Sequence, residues 1–87
     1  MYYVYVLRDF KTDKSYIGYT SDLERRLKEH KSDNVHTTLR FSESNLIFYE
    51  AFVAKEDAVR RESYFKTTKG KKALKLILRE SLKQATE

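Results

Sequence analysis

The sequence predicts one domain over residues 1–87, of the mixed α/β class and the α+β type, with a small antiparallel sheet flanked by helices. Two observations lead to this prediction. About 40% of the 87 residues are apolar or aromatic, which suffices for one modest core. The apolar residues also form three strand-like runs and three segments with helical spacing, in the order β-β-α-β-α-α.

The N-terminal half predicts a hairpin and a helix. Residues 2–7 (YYVYVL) are mainly aromatic and β-branched, residues 11–14 are polar, and residues 15–19 (SYIGY) predict a second strand. Ser21, with Glu24 three residues later, has the pattern of a capping box, which predicts a helix over about residues 22–31.

The C-terminal half predicts a long loop, a strand and two helices. Residues 32–44 are polar and aperiodic, and long loops in compact domains are often functional. Residues 46–53 predict a third strand and residues 55–66 a second helix. Gly70 is expected to break this pattern. A third amphipathic helix is predicted from the spacing of Ala73, Leu74, Ile77, Leu78 and Leu82.

The composition excludes several classes of protein. The chain has no Cys, which excludes disulfides, a thiolate nucleophile and a Cys-based zinc site, and fits a cytoplasmic location. No segment approaches the roughly 18–20 apolar residues of a membrane span, and the N-terminus does not resemble a signal peptide. We therefore expect no membrane partner.

The net charge of +5 is concentrated in residues 60–75, where seven basic residues and Glu62 give +6. Such a segment favours a surface for a polyanion, although a solvated Lys-rich helix would have the same composition. The charge pattern alone leaves both interpretations open.

Three sets of polar residues interrupt the apolar pattern. Arg26 and His30 lie four residues apart at the edge of the apolar stripe of the first helix, where they could hold a phosphate and relay a proton. Alternatively, Arg26 extends from the core edge to solvent and His30 bonds to backbone. A hairpin can also bring Tyr5 and Tyr16 together, with Gly18 allowing close approach, although ordinary aromatic packing gives the same pattern.

Glu62 falls on the apolar face of the second helix, where an unpaired carboxylate is costly. It could bind a hard cation such as Mg²⁺, or form a salt bridge with Arg26, Arg61 or Lys66. Together, a cation, a carboxylate, phenols, an imidazole and a basic surface suit phosphodiester cleavage.

These residues resemble the motifs of the GIY-YIG nuclease superfamily. Residues 3–5 (YVY) and 16–18 (YIG) resemble its two signature motifs, residues 22–30 its Arg-bearing helix, and residues 50–52 and 58–62 its third strand and Glu-bearing helix. The likeness is greatest to small stand-alone bacterial proteins described as predicted endonucleases. The same domain forms the N-terminal incision module of the excision-repair protein UvrC.

The resemblance implies a three-stranded antiparallel sheet and hydrolysis of DNA with one Mg²⁺ or Mn²⁺ ion. Tyr5 and Tyr16 match the phenols proposed to activate water, and Arg26 matches the arginine that holds the scissile phosphate. His30 matches a position that assists proton transfer, and Glu62 matches the metal ligand. The residues expected to contact the DNA backbone are Arg25, Lys66, Lys69, Lys71 and Lys72.

Two departures from the family pattern stand out. Tyr19 follows the second motif where some members have Lys, and no Asn occurs beyond Asn45, although many members have a catalytic-site Asn after the Glu helix. We expect no appended recognition domain, and we therefore expect a partner protein or a dimer to supply specificity. The alternatives are a nucleic-acid-binding module of the same fold with weak or lost catalysis, and a structural partner in a larger complex.

Overall fold

The computed structural model describes residues 1–32 and 44–86, and for residues 84–86 it describes the backbone alone. It is a three-stranded antiparallel sheet with helices, in the predicted order β-β-α-β-α-α, which confirms the α+β class. The loop predicted at residues 32–44 lies almost entirely outside the described residues. In the part of the chain that is described, no helix has the length and apolar character needed to cross a bilayer.

The sheet has the order β2-β1-β3, so the first strand lies in its centre. The strands are β1 (Tyr2–Asp9), β2 (Lys14–Thr20) and β3 (Asn45–Phe52). The first two are longer than predicted, and the third begins and ends one residue earlier. Tyr5 in the middle of β1 is paired with Gly18 of β2 and with Tyr49 of β3, so these three residues share one face of the sheet.

The turn between the first two strands is stabilised by a buried carboxylate. Asp9 is fully buried and accepts hydrogen bonds from the backbone N–H of Lys11, at 3.0 Å, and from the hydroxyl of Thr12, at 2.8 Å. Asp13 has φ 59°, a left-handed conformation that Asp tolerates better than most residues. This polar turn is where the sequence predicts it.

The described residues also form three α-helices and a short 3₁₀-helix. They are α1 (Leu23–Lys31), α2 (Lys55–Phe65), α3 (Thr68–Ile77) and the 3₁₀-helix Ser81–Thr86. The predicted cap of α1 is wrong, because Asp22 and not Ser21 is the N-cap. The carboxylate of Asp22 accepts the backbone N–H of Arg25 at 3.1 Å. Such a cap typically stabilises a helix by about 1 kcal/mol.

Gly70 lies within a helix, although the sequence predicts that it breaks the helical pattern. It lies inside the first turn of α3, which begins after the N-cap Thr67. A Cβ atom on Gly70 would collide with the backbone carbonyl of Tyr64 at the end of α2. Glycine is therefore needed for close packing of the two helices. Ile77, predicted on the apolar face of this helix, is half exposed.

The core lies between the sheet and the helices α2 and α3. Val4 and Val6 point to this face, since alternate residues of a strand point to opposite sides. Its buried members are Val4, Val6, Ala58, Phe65, Leu74 and Leu78. Full burial of a side chain such as Phe65 contributes roughly 1.5–3 kcal/mol. Tyr5 and Leu7 are buried on the opposite face, the one toward α1.

Candidate active site

The hydroxyl of Tyr5 is the centre of a buried polar cluster. Tyr5 is fully buried, and its hydroxyl forms a 2.8 Å hydrogen bond with Nε2 of His30. Nε of Arg26 donates to the same oxygen at 3.3 Å. Arg26 and His30 are one helical turn apart on α1, so both reach the strand from the same side. The structure therefore brings three of the predicted site residues together around one oxygen atom.

Tyr16 packs against this cluster from the edge strand β2. Its ring centroid lies 6.0 Å from that of Tyr5 and 4.9 Å from that of His30, the latter in an edge-to-face arrangement. A Cβ atom on Gly18 would lie 2.5 Å from Cζ and from the oxygen of Tyr5, and 2.8 Å from Cε2 of Tyr16. The glycine of the second motif thus leaves room for both phenol rings.

The environment keeps both Tyr5 and His30 neutral near pH 7. Burial raises the pKa of Tyr5 well above its usual value, although the hydrogen bond from Arg26 opposes this shift. Burial and the nearby positive charge of Arg26 lower the pKa of His30 below its usual range. We assign the proton of their hydrogen bond to the phenol, because a neutral imidazole offers one nitrogen as an acceptor and Arg26 can only donate.

Arg26 connects the buried cluster to solvent. Its side chain is 33% exposed, and its Nη1 donates to the carboxylate of Glu29 at 3.0 Å. The bonds to Glu29 and Tyr5 raise the pKa of Arg26 further above its already high value, so the guanidinium stays charged. A partly exposed guanidinium held at one end is suited to binding a phosphate at the other. Sequence reasoning missed Glu29, although it lies at the i+3 position that commonly pairs with an arginine.

Glu62 is not one of the residues hydrogen-bonded around Tyr5. It belongs to α2, which packs on the Val4 face, and its carboxylate accepts from Nζ of Lys66 at 3.1 Å. The salt bridge to Lys66 is therefore formed, and those considered with Arg26 and Arg61 are not. Among the residues whose side chains are described, no hydrogen bond or ion pair joins Glu62 to the Tyr5 cluster.

The surroundings of Glu62 fit a hydrated divalent ion held by a single carboxylate. Its side chain is 21% exposed, and Lys66 contacts only the Oε2 oxygen. Within residues 1–32 and 44–83, no three His, Asp or Glu side chains are close enough together to hold a metal ion. Mg²⁺ retains several waters and commonly uses one or two protein carboxylates, so the oxygen donors of Glu62 suit it.

The predicted DNA-contacting residues lie on two sides of the domain. Arg25 is exposed on α1, directly beside Arg26. The predicted lysines are exposed at the end of α2 and along α3, and they are Lys66, Lys69, Lys71 and Lys72. Because Leu74 and Leu78 hold α3 against the Val4 face, these lysines belong to the opposite side of the sheet from Tyr5.

Comparison with known proteins decides the family. The family model described as the GIY-YIG catalytic domain matches residues 1–75. This chain belongs to the GIY-YIG family. Within it, the chain is 34% identical over 85 residues to a UPF0213 protein of Clostridium perfringens, covering 97% of this chain and 90% of that protein. The UPF0213 protein YazA of Bacillus subtilis is 36% identical over 87 residues, covering 97% and 86% respectively.

A solved structure supports the same assignment. The solution NMR structure of a UPF0213 protein of Bacillus halodurans matches with a TM-score of 0.54 and 34% identity, covering 88% of this chain and 85% of that one. Membership of the GIY-YIG family implies nuclease ancestry. The names of these relatives specify neither a substrate nor a metal.

One ion pair of this GIY-YIG domain was missed by sequence reasoning. Arg61 donates two hydrogen bonds to Glu50, at 2.8 and 3.2 Å, and its guanidinium lies 4.4 Å from the ring centroid of Phe65. The bonds to Glu50 raise the pKa of Arg61. This pair fastens β3 to α2. Strand alternation could have indicated it, because Glu50 is paired with Val4 and so faces the same helices.

Proposed function

We propose that this GIY-YIG protein is a divalent-metal-dependent endonuclease that hydrolyses phosphodiester bonds of DNA. The observation that supports this most is the shared hydrogen bonding of Tyr5 to His30 and Arg26, at 2.8 and 3.3 Å. Hydrolysis of a phosphodiester needs a proton acceptor for the attacking water and a positive charge for the phosphate. This cluster offers both within one hydrogen-bonded group.

In this proposal Arg26 binds the non-bridging oxygens of the scissile phosphate. Negative charge grows on these oxygens as water attacks, and a charged guanidinium already fixed by Tyr5 and Glu29 stabilises it without reorganising. A fixed donor of this kind typically contributes about 10²–10³ in rate.

Tyr5 carries the proton of the attacking water toward His30. Because its pKa is raised, the phenol of Tyr5 is not ionised near neutral pH and cannot act as a base on its own. Tyr5 therefore acts as a relay. As its oxygen accepts a proton from water, its own proton passes to Nε2 of His30, which is neutral and able to accept. Tyr16 packs against both rings and fixes their relative positions.

Glu62 would hold the Mg²⁺ or Mn²⁺ ion. When bound, such an ion polarises the phosphate and makes bound water more acidic. The exposed lysines of α3 and Arg25 contact flanking phosphates away from the cut, where each contact releases counterions and makes binding dependent on salt.

The test is cleavage of DNA with Mg²⁺ or Mn²⁺ by the wild type and by Glu62→Gln. We expect the variant to lose at least about 100-fold in rate, because the ion contributes several kcal/mol and each 1.36 kcal/mol is tenfold. The matched control is Glu56→Gln, an exposed glutamate on the same helix, which should cleave as the wild type does. Thermal unfolding of both variants checks that the fold is retained.

Equal activity of Glu62→Gln and wild type would refute the assignment of Glu62. The exposed lysines of α3 favour a second candidate, a nucleic-acid-binding module of the same fold with weak or lost catalysis. A wild-type protein that binds DNA in a salt-dependent manner but cleaves none with either metal would establish that alternative.

A further inference from the structure

An exposed tyrosine lies on the same face of the sheet as the Tyr5 cluster. Tyr49 of β3 is paired with Tyr5, yet its side chain is 54% exposed because α1 covers the other strands of this face. The ring of Tyr3 lies 6.1 Å away at an interplanar angle of 63°. Tyr3 lies two residues, about 7 Å, from Tyr5 along β1, and Tyr49 is paired with Tyr5, so the two rings form an open aromatic corner beside Tyr5.

This corner is one side of a cavity of about 430 Å³ that also borders the first turns of α1. We call it the aromatic pocket. Tyr3 and Tyr49 line it from the sheet, and its other lining residues lie at the start of α1 and just before it, namely Ser21, Asp22, Leu23, Glu24 and Leu27. Tyr49 is paired with Tyr5, whose hydroxyl accepts a hydrogen bond from Arg26, so the aromatic pocket lies on the same face of the sheet as the position proposed for the scissile phosphate.

We propose that the aromatic pocket binds one unpaired nucleobase of the substrate, next to the phosphate held by Arg26. This inference rests on the proposed function and specifies its substrate class, which is DNA with a single-stranded segment at the cut. A base within an intact duplex is stacked and paired, and removing it from the stack has a free-energy cost that a single strand avoids.

The chemistry of the aromatic pocket suits a base better than a phosphate. Aromatic side chains stack on the faces of all four bases, which is the usual way proteins bind single strands. The carboxylate of Glu24 repels phosphates but accepts hydrogen bonds from amino groups such as those of cytosine and adenine. Glu24 is mostly exposed, and Lys28 is 3.6 Å away in an equally exposed ion pair, so its carboxylate can turn to a ligand.

The test measures binding and not cleavage. Fluorescence anisotropy with EDTA present would compare a labelled single-stranded oligodeoxycytidine with a duplex of the same length, for wild type, Tyr49→Ala and Tyr49→Phe. We expect Tyr49→Ala to weaken single-strand binding about 5- to 150-fold, which corresponds to the loss of one stacked base, and duplex binding less than twofold. Tyr49→Phe keeps the ring and should bind the single strand as the wild type does.

Tyr64→Ala is the matched control, because Tyr64 is 39% exposed but lies on α2, on the other side of the sheet. It should bind both DNAs normally. Equal weakening of both DNAs by Tyr49→Ala, no weakening, or the same loss in Tyr64→Ala would overturn the proposal. Since no metal is present, the result is independent of cleavage. If the protein never cleaves DNA but Tyr49→Ala weakens single-strand binding, the proposed nuclease activity is refuted and the base-binding pocket is retained. If the protein cleaves DNA but Tyr49→Ala binds the single strand normally, the pocket is refuted and the nuclease activity is retained.

Discussion

Replacement of Gly18 by alanine tests the geometry of the Tyr5 cluster directly. The new Cβ would lie 2.5 Å from the ring and oxygen of Tyr5, whereas ordinary contacts of a Cβ begin near 3.4 Å. The phenol must therefore move by about 1 Å, and its 3.3 Å hydrogen bond from Arg26 is then lost. Such overpacking typically costs about 1–3 kcal/mol of unfolding free energy.

Thermal unfolding and cleavage kinetics give two independent measurements of this effect. For a domain of this size each kcal/mol lowers the unfolding temperature by roughly 4–8 °C. A misplacement of 1 Å at a reacting group can lower the rate about 100-fold, so we expect a similar loss of kcat in the protein that remains folded. The control is Gly70→Ala, which also introduces a clash but at the α2–α3 contact. It should lower stability and leave the kcat of the folded fraction unchanged.

The reasoning has a clear contrary outcome. Where a glycine has space around it, replacement by alanine usually stabilises a protein by about 0.4–1 kcal/mol, because the unfolded chain loses freedom. A Gly18→Ala variant that is more stable than the wild type and equally active would show that the phenol of Tyr5 does not need this space.

Two further predictions concern α1. Arg26→Lys should lower kcat about 10²–10³-fold but DNA affinity less than tenfold, because the charge is retained while the two-pronged geometry of the guanidinium is lost. Single-turnover cleavage measures the first effect and fluorescence anisotropy the second. Equal losses in the two assays would contradict a role of Arg26 in the transition state. The rate of cleavage should decline only at pH values below 6.5, because the lowered pKa of His30 keeps its ring neutral at pH 6.5. The unfolded chain binds a proton at His30 more readily than the folded chain does, so the free energy of unfolding should also decline as the pH falls from about 6.5 through the folded pKa. His30→Gln should lower the rate at every pH and remove this pH dependence of stability.

The antiparallel hairpin of β1 and β2 and the shared side of Arg26 and His30 on α1 could be predicted from the sequence. The alternating apolar residues of β1 and the four-residue spacing of Arg26 and His30 are local patterns, and the structure preserves them. The proximity of Tyr5 and Tyr16 also follows from a hairpin. Since the hairpin fixes which residues oppose each other, the space that Gly18 provides could be anticipated.

Features that depend on packing between distant segments could not be predicted. The position of Gly70 inside α3 reflects the approach of another helix, which no local pattern records. Strand alternation indicates which helices Glu50 faces, but the choice of Arg61 as its partner depends on how α2 lies across the sheet. Ser21 and Asp22 are adjacent, and both residue types favour the N-cap position of a helix. Backbone geometry decides that Asp22 is the N-cap of α1.

The burial of β1 has a consequence for how the protein would lose activity. Val4, Tyr5, Val6 and Leu7 are all at most 1% exposed, so the strand is covered on both faces. Backbone amides in such a strand usually exchange their hydrogens with solvent only when the whole domain opens. The phenol of the cluster is attached to this strand, so it cannot become disordered through fraying or a local opening. Inactivation by heat and the loss of the fold should then be a single cooperative event.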